Sequence, residues 1–277
     1  MKTYIIDAFT TEAFKGNPAG VCIVENDISV ETMQSIAGEL NLSETAFIRK
    51  SENNENDYSI RYFTPTVPID FCGHATLASA KVILHQMGNS AVNFTTFHNL
   101  KISAKSAGEN IKMNFHLYET VNYFPNEDLY LALGITNPIA TKYAEKMDMV
   151  VIEVANKDIL LSVKPNFVNL ANTSKSYKAV IVTAKSEDSK YDFYSRCFCS
   201  WIGIDEDPVT GSSHSVLAKY WSTILNKKEM IAFQASKRGG SMQLKIISDN
   251  ELEVLSDAKI VFEGQLNLKS KPRVKRV

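Results

Sequence analysis

The 277-residue chain has no run approaching the roughly eighteen uninterrupted apolar residues of a membrane-crossing helix, so no membrane span is expected. Near its start, the short apolar stretch Tyr4-Ile5-Ile6 meets Asp7 too soon for a secretion signal, and a cytoplasmic protein is expected. Cysteine is scarce: four residues without a secretion signal argue for reduced thiols, not a disulfide framework. An excess of either charge is missing too, since 30 Lys and Arg face 31 Asp and Glu for a formal charge of -1. No global field therefore favours nucleic acid or an anionic membrane surface. The glycine-rich dinucleotide fingerprint and the phosphate-binding lysine loop are absent, so neither a dinucleotide nor ATP is expected.

What remains is an apolar content of 44%, enough for one large core or two of ordinary size. Short β-type runs bounded by turn residues dominate, among them Tyr4 to Phe9, Tyr58 to Phe63, Ile111 to Phe115, Met149 to Val154 and Ala179 to Thr183. Val30 to Leu40 reads as a helix, with Ser29 as its cap and Met33, Ile36, Ala37 and Leu40 on one stripe. The pattern is α+β with strands in the majority, and helices alternate with strands too irregularly for a parallel βαβ fold.

Two small-residue-rich segments echo each other. Each follows a glycine turn: Cys72-Gly73-His74-Ala75-Thr76-Leu77-Ala78 and Thr210-Gly211-Ser212-Ser213-His214-Ser215-Val216. Their glycines stand 138 positions apart, about half the chain, as a duplicated unit built around a central helix predicts. The first amides of a helix lack internal partners and carry the positive end of its dipole, so both turns suit a substrate carboxylate. If two such units face each other, two helix N-termini point into one cleft. In the second turn, Asp207 is biased towards extended backbone by Pro208, and Thr210 or Ser212 is expected to cap the helix. The same features also suit ordinary helix starts whose glycines serve packing alone.

Four stretches together resemble the phenazine-biosynthesis PhzF-like family. They are Asp7-Ala8-Phe9 with Lys15-Gly16-Asn17-Pro18-Ala19-Gly20-Val21; Leu42-Ser43-Glu44-Thr45-Ala46-Phe47; Arg61-Tyr62-Phe63-Thr64-Pro65 with Asp70-Phe71-Cys72-Gly73-His74-Ala75-Thr76; and Asp205-Glu206-Asp207-Pro208-Val209-Thr210-Gly211-Ser212-Ser213-His214. The resemblance implies the diaminopimelate epimerase-like fold, with two pseudo-symmetric β-barrel-like domains each enclosing a central helix and the active site in the cleft between them. It places the first domain at residues 1–118, completed by residues 265–277, and the second at 119–264. It also implies a homodimer, and an isomerase that acts on a small cyclic carboxylate such as trans-2,3-dihydro-3-hydroxyanthranilate without metal or organic cofactor. Glu44 then corresponds to the general acid/base, joined by His74 and Asp207 as catalytic groups, with Asn17, Gly73, Gly211 and Ser212 against the substrate. The chemistry permits this, since a carboxyl group drawn from water into a closed cleft binds its proton more tightly and can move it between two carbons.

Two other readings compete. A two-cysteine racemase on the same fold could begin with Cys72, but the facing motif holds no cysteine. Cys197 and Cys199 lie at i, i+2, one face of a strand, where core packing is expected and ligands for a metal are lacking nearby. A non-catalytic binding protein finds support only in the basic stretch at residues 269–277.

Overall fold

The structure, a computed structural model, describes residues 1–52 and 54–268. The first half contains β1 (Lys2–Ala8), β2 (Asn17–Ile23), α1 (Val30–Leu40), β3 (Glu44–Lys50), β4 (Asp57–Phe63), β5 (Pro68–Ile69), α2 (Gly73–Lys81), β6 (Ala91–Thr96), β7 (Lys101–Ala107) and β8 (Asn110–His116). The second contains β9 (Val121–Asn122), α3 (Glu127–Leu133), β10 (Ala140–Ala144), β11 (Met149–Glu153), α4 (Lys157–Ser162), α5 (Phe167–Asn172), β12 (Ala179–Lys185), β13 (Phe193–Cys199), β14 (Ile204–Asp207), α6 (Gly211–Leu225), β15 (Glu229–Gln234), β16 (Gly240–Ser248) and β17 (Glu251–Ser256), followed by β18 (Ala258–Gln265). The basic stretch at 269–277 lies outside the described residues.

Strand pairing repeats. From β1 the ladder runs antiparallel to β2, parallel to β3, antiparallel to β4, which takes β5 antiparallel and β6 parallel, and then antiparallel through β7 to β8. From β10 it runs antiparallel to β11, parallel to β12, antiparallel to β13, which takes β14 antiparallel and β15 parallel, and then antiparallel through β16 to β17. Each parallel step needs a long crossover, and the helices are those crossovers: α1 joins β2 to β3, α2 lies between β4 and β6, α4 and α5 join β11 to β12, and α6 lies between β13 and β15. The glycine echo in the sequence is thus one copy of a larger repeat. An antiparallel pairing of β8 with β17 joins the halves.

The sequence reading sent the chain back to the first half at residue 265, but β18 already lies along β1 from Ala258. Strand β1 is almost wholly buried, so its second row of backbone donors and acceptors needs a partner, and β18 supplies one.

α2 is buried from His74 through Ala80 and packs against β1, β2, β3, β7, β8 and β18, which only its small side chains allow. Its hydroxyls are satisfied locally, Thr76 donating to the Cys72 carbonyl and Ser79 to that of Ala75, both at 2.7 Å. α6 occupies the matching place in the second half, where Trp221 stacks on Phe193 at 5.7 Å and donates its Nε1–H to Thr183 Oγ1 at 2.9 Å. Ser29 caps α1 as expected, accepting from Thr32 N at 3.2 Å. Among the described residues no helix is long and apolar enough to cross a membrane.

Trp221 is wholly buried. Trp221→Ala is expected to cost about 3–5 kcal/mol through the cavity left in the core, while the Thr183 hydroxyl keeps its bond to the Tyr194 carbonyl at 2.7 Å. A denaturant midpoint unchanged from the native protein would count against this account of the second core.

Candidate active site

The two glycine turns meet. A Cβ built on Gly73 would stand 3.9 Å from Gly211 Cα and 3.3 Å from Phe115 Cε1, while one on Gly211 would stand 3.3 Å from Phe9 Cζ. The N-termini of α2 and α6 therefore face each other with aromatic edges closing the sides, and the absence of side chains is what allows the approach. Neither helix has a side-chain cap. The expectation that Thr210 or Ser212 caps α6 fails because the Thr210 hydroxyl turns back to donate to Asp207 Oδ2. Both helix starts keep uncapped amides at the positive ends of their dipoles.

Around this junction lie the polar groups. Glu44 opens β3 opposite Ala19 of β2, and its carboxylate is carried inward to 8% exposure. His74 is the second residue of α2, 6% exposed, with Nε2 3.1 Å from Glu44 Oε2. That oxygen is buried and has no hydrogen-bond partner of good geometry among the described residues. Asp207 ends β14, and Asn17 opens β2, fully buried. The Asn17 amide nitrogen crosses between the halves, donating to Asp207 Oδ1 at 2.8 Å and to the Val209 carbonyl at 2.9 Å, and stands 3.2 Å from His74 Nδ1. Gln234 of β15 locks the turn from below: its Oε1 accepts from Thr210 N at 2.9 Å, and its Nε2 donates to the Asp207 carbonyl at 2.7 Å.

Burial pushes the Asp207 carboxyl above its usual range, against the opposing effects of the His74 charge and the Thr210 and Asn17 donors. Burial also works against a second proton on His74, but negative charge on Cys72 and Glu44 lifts its proton affinity well above the ordinary imidazole value. Because burial holds the Cys72 thiol protonated, Glu44 is the neighbour that counts. His214 is a contrast: it faces the core, stacks on Phe193, has its Nδ1 2.8 Å from the Thr210 carbonyl, and is pushed down by burial to about 4.

Glu44, Cys72 and His74 bring a carboxylate oxygen, a sulfur and a ring nitrogen within 4.8 Å of one another, close enough to suggest a metal ion. The sulfur lies 3.3 Å from Nδ1 and 3.8 Å from Nε2, near-equal distances that set it over the ring face. A ring nitrogen binds metal in the ring plane, so as placed these three do not converge on one ion. Cys197 and Cys199 lie in the core with sulfurs 3.7 Å apart.

Of the residues singled out in the sequence, the fold brings Asn17, Glu44, Gly73, His74, Asp207 and Gly211 to one junction. Ser212 is half-buried at the second position of α6 and forms no hydrogen bond among the described residues. Thr210 and Gln234 were missed as polar partners of Asp207. Thr210 sat inside a motif and was read as a cap, whereas nothing local to Gln234 points to a turn 24 residues earlier. A groove of about 520 Å³ lies elsewhere, between the Phe9–Lys15 loop and Tyr191, Phe233 and Arg238.

Thr210→Val keeps the shape and removes one donor to Asp207. The midpoint of the Asp207 carboxyl is then expected to rise further, because that bond favours the ionised form. Carbon-13 NMR titration of native and variant protein reads this directly, and an unmoved midpoint refutes the assigned hydrogen bond.

Comparison with known proteins adds kinship to this geometry. The family model described as phenazine biosynthesis-like protein, PhzC-PhzF, matches residues 6–264. The chain is 41% identical over 282 residues to the mouse phenazine biosynthesis-like domain-containing protein 1, covering 95% of this chain and 98% of the relative. It is 40% identical over 269 residues to a protein of Halalkalibacterium halodurans named an uncharacterized isomerase, covering 96% and 98%. Among solved structures, a PhzF-family phenazine biosynthesis protein of Enterococcus faecalis superposes with a TM-score of 0.87 at 34% identity, over 96% of this chain and 99% of that one.

Proposed function

The chain belongs to the phenazine biosynthesis-like PhzC-PhzF family, and from that premise we propose that it is an isomerase that moves a proton on a small cyclic carboxylate, with Glu44 as the group that removes and returns it. The observation that carries this reading is the Glu44 carboxylate, buried 3.1 Å from His74 Nε2 beside two uncapped helix starts.

In this scheme the substrate carboxylate lies against the first amides of α2 and α6, where dipole and free N–H groups both favour an anion. Glu44 takes a proton from a ring carbon, and the electron pair of that C–H bond shifts the adjacent double bond. The same proton then forms a C–H bond at the far end of the conjugated system, and the resulting enol relaxes to a ketone. Atoms and electrons balance without an oxidant, and in deuterated water the proton held by Glu44 and the one lost as enol becomes ketone can exchange with solvent deuterium. His74 Nε2 stands 3.1 Å from the carboxylate while Glu44 takes and returns the proton, and the two-donor clamp on Asp207 fixes the opposite wall. A trans-2,3-dihydro-3-hydroxyanthranilate-like molecule fits this chemistry, having a carboxylate, an acidic ring C–H and conjugation between the two carbons.

A two-thiol racemase is disfavoured by the repeat itself. Cys72 and Thr210 are the residues before the two helices, so the place facing the one sulfur holds a hydroxyl already bonded to Asp207.

The test is turnover of trans-2,3-dihydro-3-hydroxyanthranilate in deuterated water, with ring-proton exchange followed by NMR. Native protein should exchange and isomerise, whereas folded Glu44→Gln should lose about 10²- to 10⁴-fold in rate. Full activity in the variant removes Glu44 from the role; neither turnover nor exchange by the folded native protein removes this substrate.

A further inference from the structure

Asn17 has three neighbours for one amide nitrogen. An amide nitrogen carries two hydrogens and no free lone pair, so it can serve only two of them. Asp207 Oδ1 and the Val209 carbonyl are nearer, at 2.8 and 2.9 Å, and both can only accept. Turning the amide over would set its oxygen against these two oxygens and lose the bond accepted from Ser43 Oγ at 3.4 Å, so the surroundings fix its orientation. His74 Nδ1, the third neighbour at 3.2 Å, therefore faces a donor. The other atom near Nδ1 is Cys72 Sγ, which lies over the ring face and not along an N–H bond from Nδ1. A proton on Nδ1 would point at the hydrogens of Asn17 and find no acceptor.

We propose that Asn17 is a positioning residue that fixes the singly protonated His74 ring as the Nε2–H tautomer, with its proton on the nitrogen 3.1 Å from Glu44 Oε2. The pull of Glu44 for a second proton on the ring is checked by the same contact, because that proton has only Nδ1 to occupy. Asn17 is fully buried and its polar atoms are consumed by protein partners, which separates this role from the substrate contact implied by family resemblance. Asp207 and Val209 belong to the other half of the molecule, so the tautomer is tied to contact between the halves.

The consequence for rate rests on the proton-shuttle reading; the tautomer is a property of the resting protein. Protein labelled with nitrogen-15 in its histidine rings reports which ring nitrogen carries the proton, and among the five histidines His74 is identified by comparison with His74→Gln. At a pH above the His74 midpoint, where the ring keeps one proton, native His74 should show a bare Nδ1 and a protonated Nε2. Asn17→Ser should move a substantial share of molecules to a protonated Nδ1, and kcat should fall by up to about 100-fold with KM little changed. A native ring protonated on Nδ1, or a folded Asn17→Ser protein with unchanged His74 nitrogen shifts, overturns the proposal. If Asn17→Ser does not fold, the native tautomer decides alone. The expected tautomer together with an active Glu44→Gln protein would support the Asn17 role while removing the shuttle.

Discussion

Two helix N-termini held in contact at Gly73 and Gly211 set the terms for everything around them. Each is the positive end of a dipole, worth roughly half a charge, and bringing two such ends together is repulsive unless negative groups lie close. Glu44 and Asp207 are those groups. Burying a carboxylate is costly in an apolar surround, and burial does push the Asp207 carboxyl upward, with the His74 charge and the Thr210 and Asn17 donors opposing it. The missing caps belong to the same balance, because a Thr210 hydroxyl spent on α6 would leave Asp207 with one donor fewer.

Duplication supplies the frame, and divergence within it supplies the chemistry. The two halves share a strand order, a central helix and a glycine at its start, yet they contribute different side chains. β3 opens on Glu44, whereas its counterpart β12 opens on Ala179; α2 carries His74 at its second position, whereas α6 carries Ser212. One half therefore holds the acid–base pair and the other holds the clamped Asp207 wall, so the site exists only where the halves meet. Asn17 reaches across that seam, which is why a single amide governs both a carboxylate and an imidazole.

Much of this was legible in the residues because local rules and tertiary demands agree. Val30–Leu40 carries its cap and its stripe in sequence, and Met149 to Val154 and Ala179 to Thr183 read as strands because both faces are buried. The glycine echo exposed the duplication since the helix contact tolerates nothing larger. What the residues hid lies between elements distant in sequence. Thr210 looked like a cap because four residues of context contain no sign of a buried carboxylate competing for its hydroxyl. Gln234 alternates along β15 as a core-facing residue, and only the parallel pairing of β15 with β13 brings it beneath the Asp207 turn. The return of the chain at Ala258 was set by the unmet hydrogen bonds of β1, a need that the sequence of β18 does not display.

The charge balance also bears on how the site can turn over. An arriving substrate carboxylate would meet two uncapped helix ends and His74, a ring whose proton affinity is lifted well above the ordinary imidazole value. In the proposed reaction, proton transfer from carbon to Glu44 would place negative charge on the substrate's conjugated system while cancelling it on the protein, so the total would not grow as the bond breaks. In that proposal a site of fixed dipoles with one movable proton would lower the barrier without rearranging, with the His74 hydrogen on the nitrogen nearer Glu44.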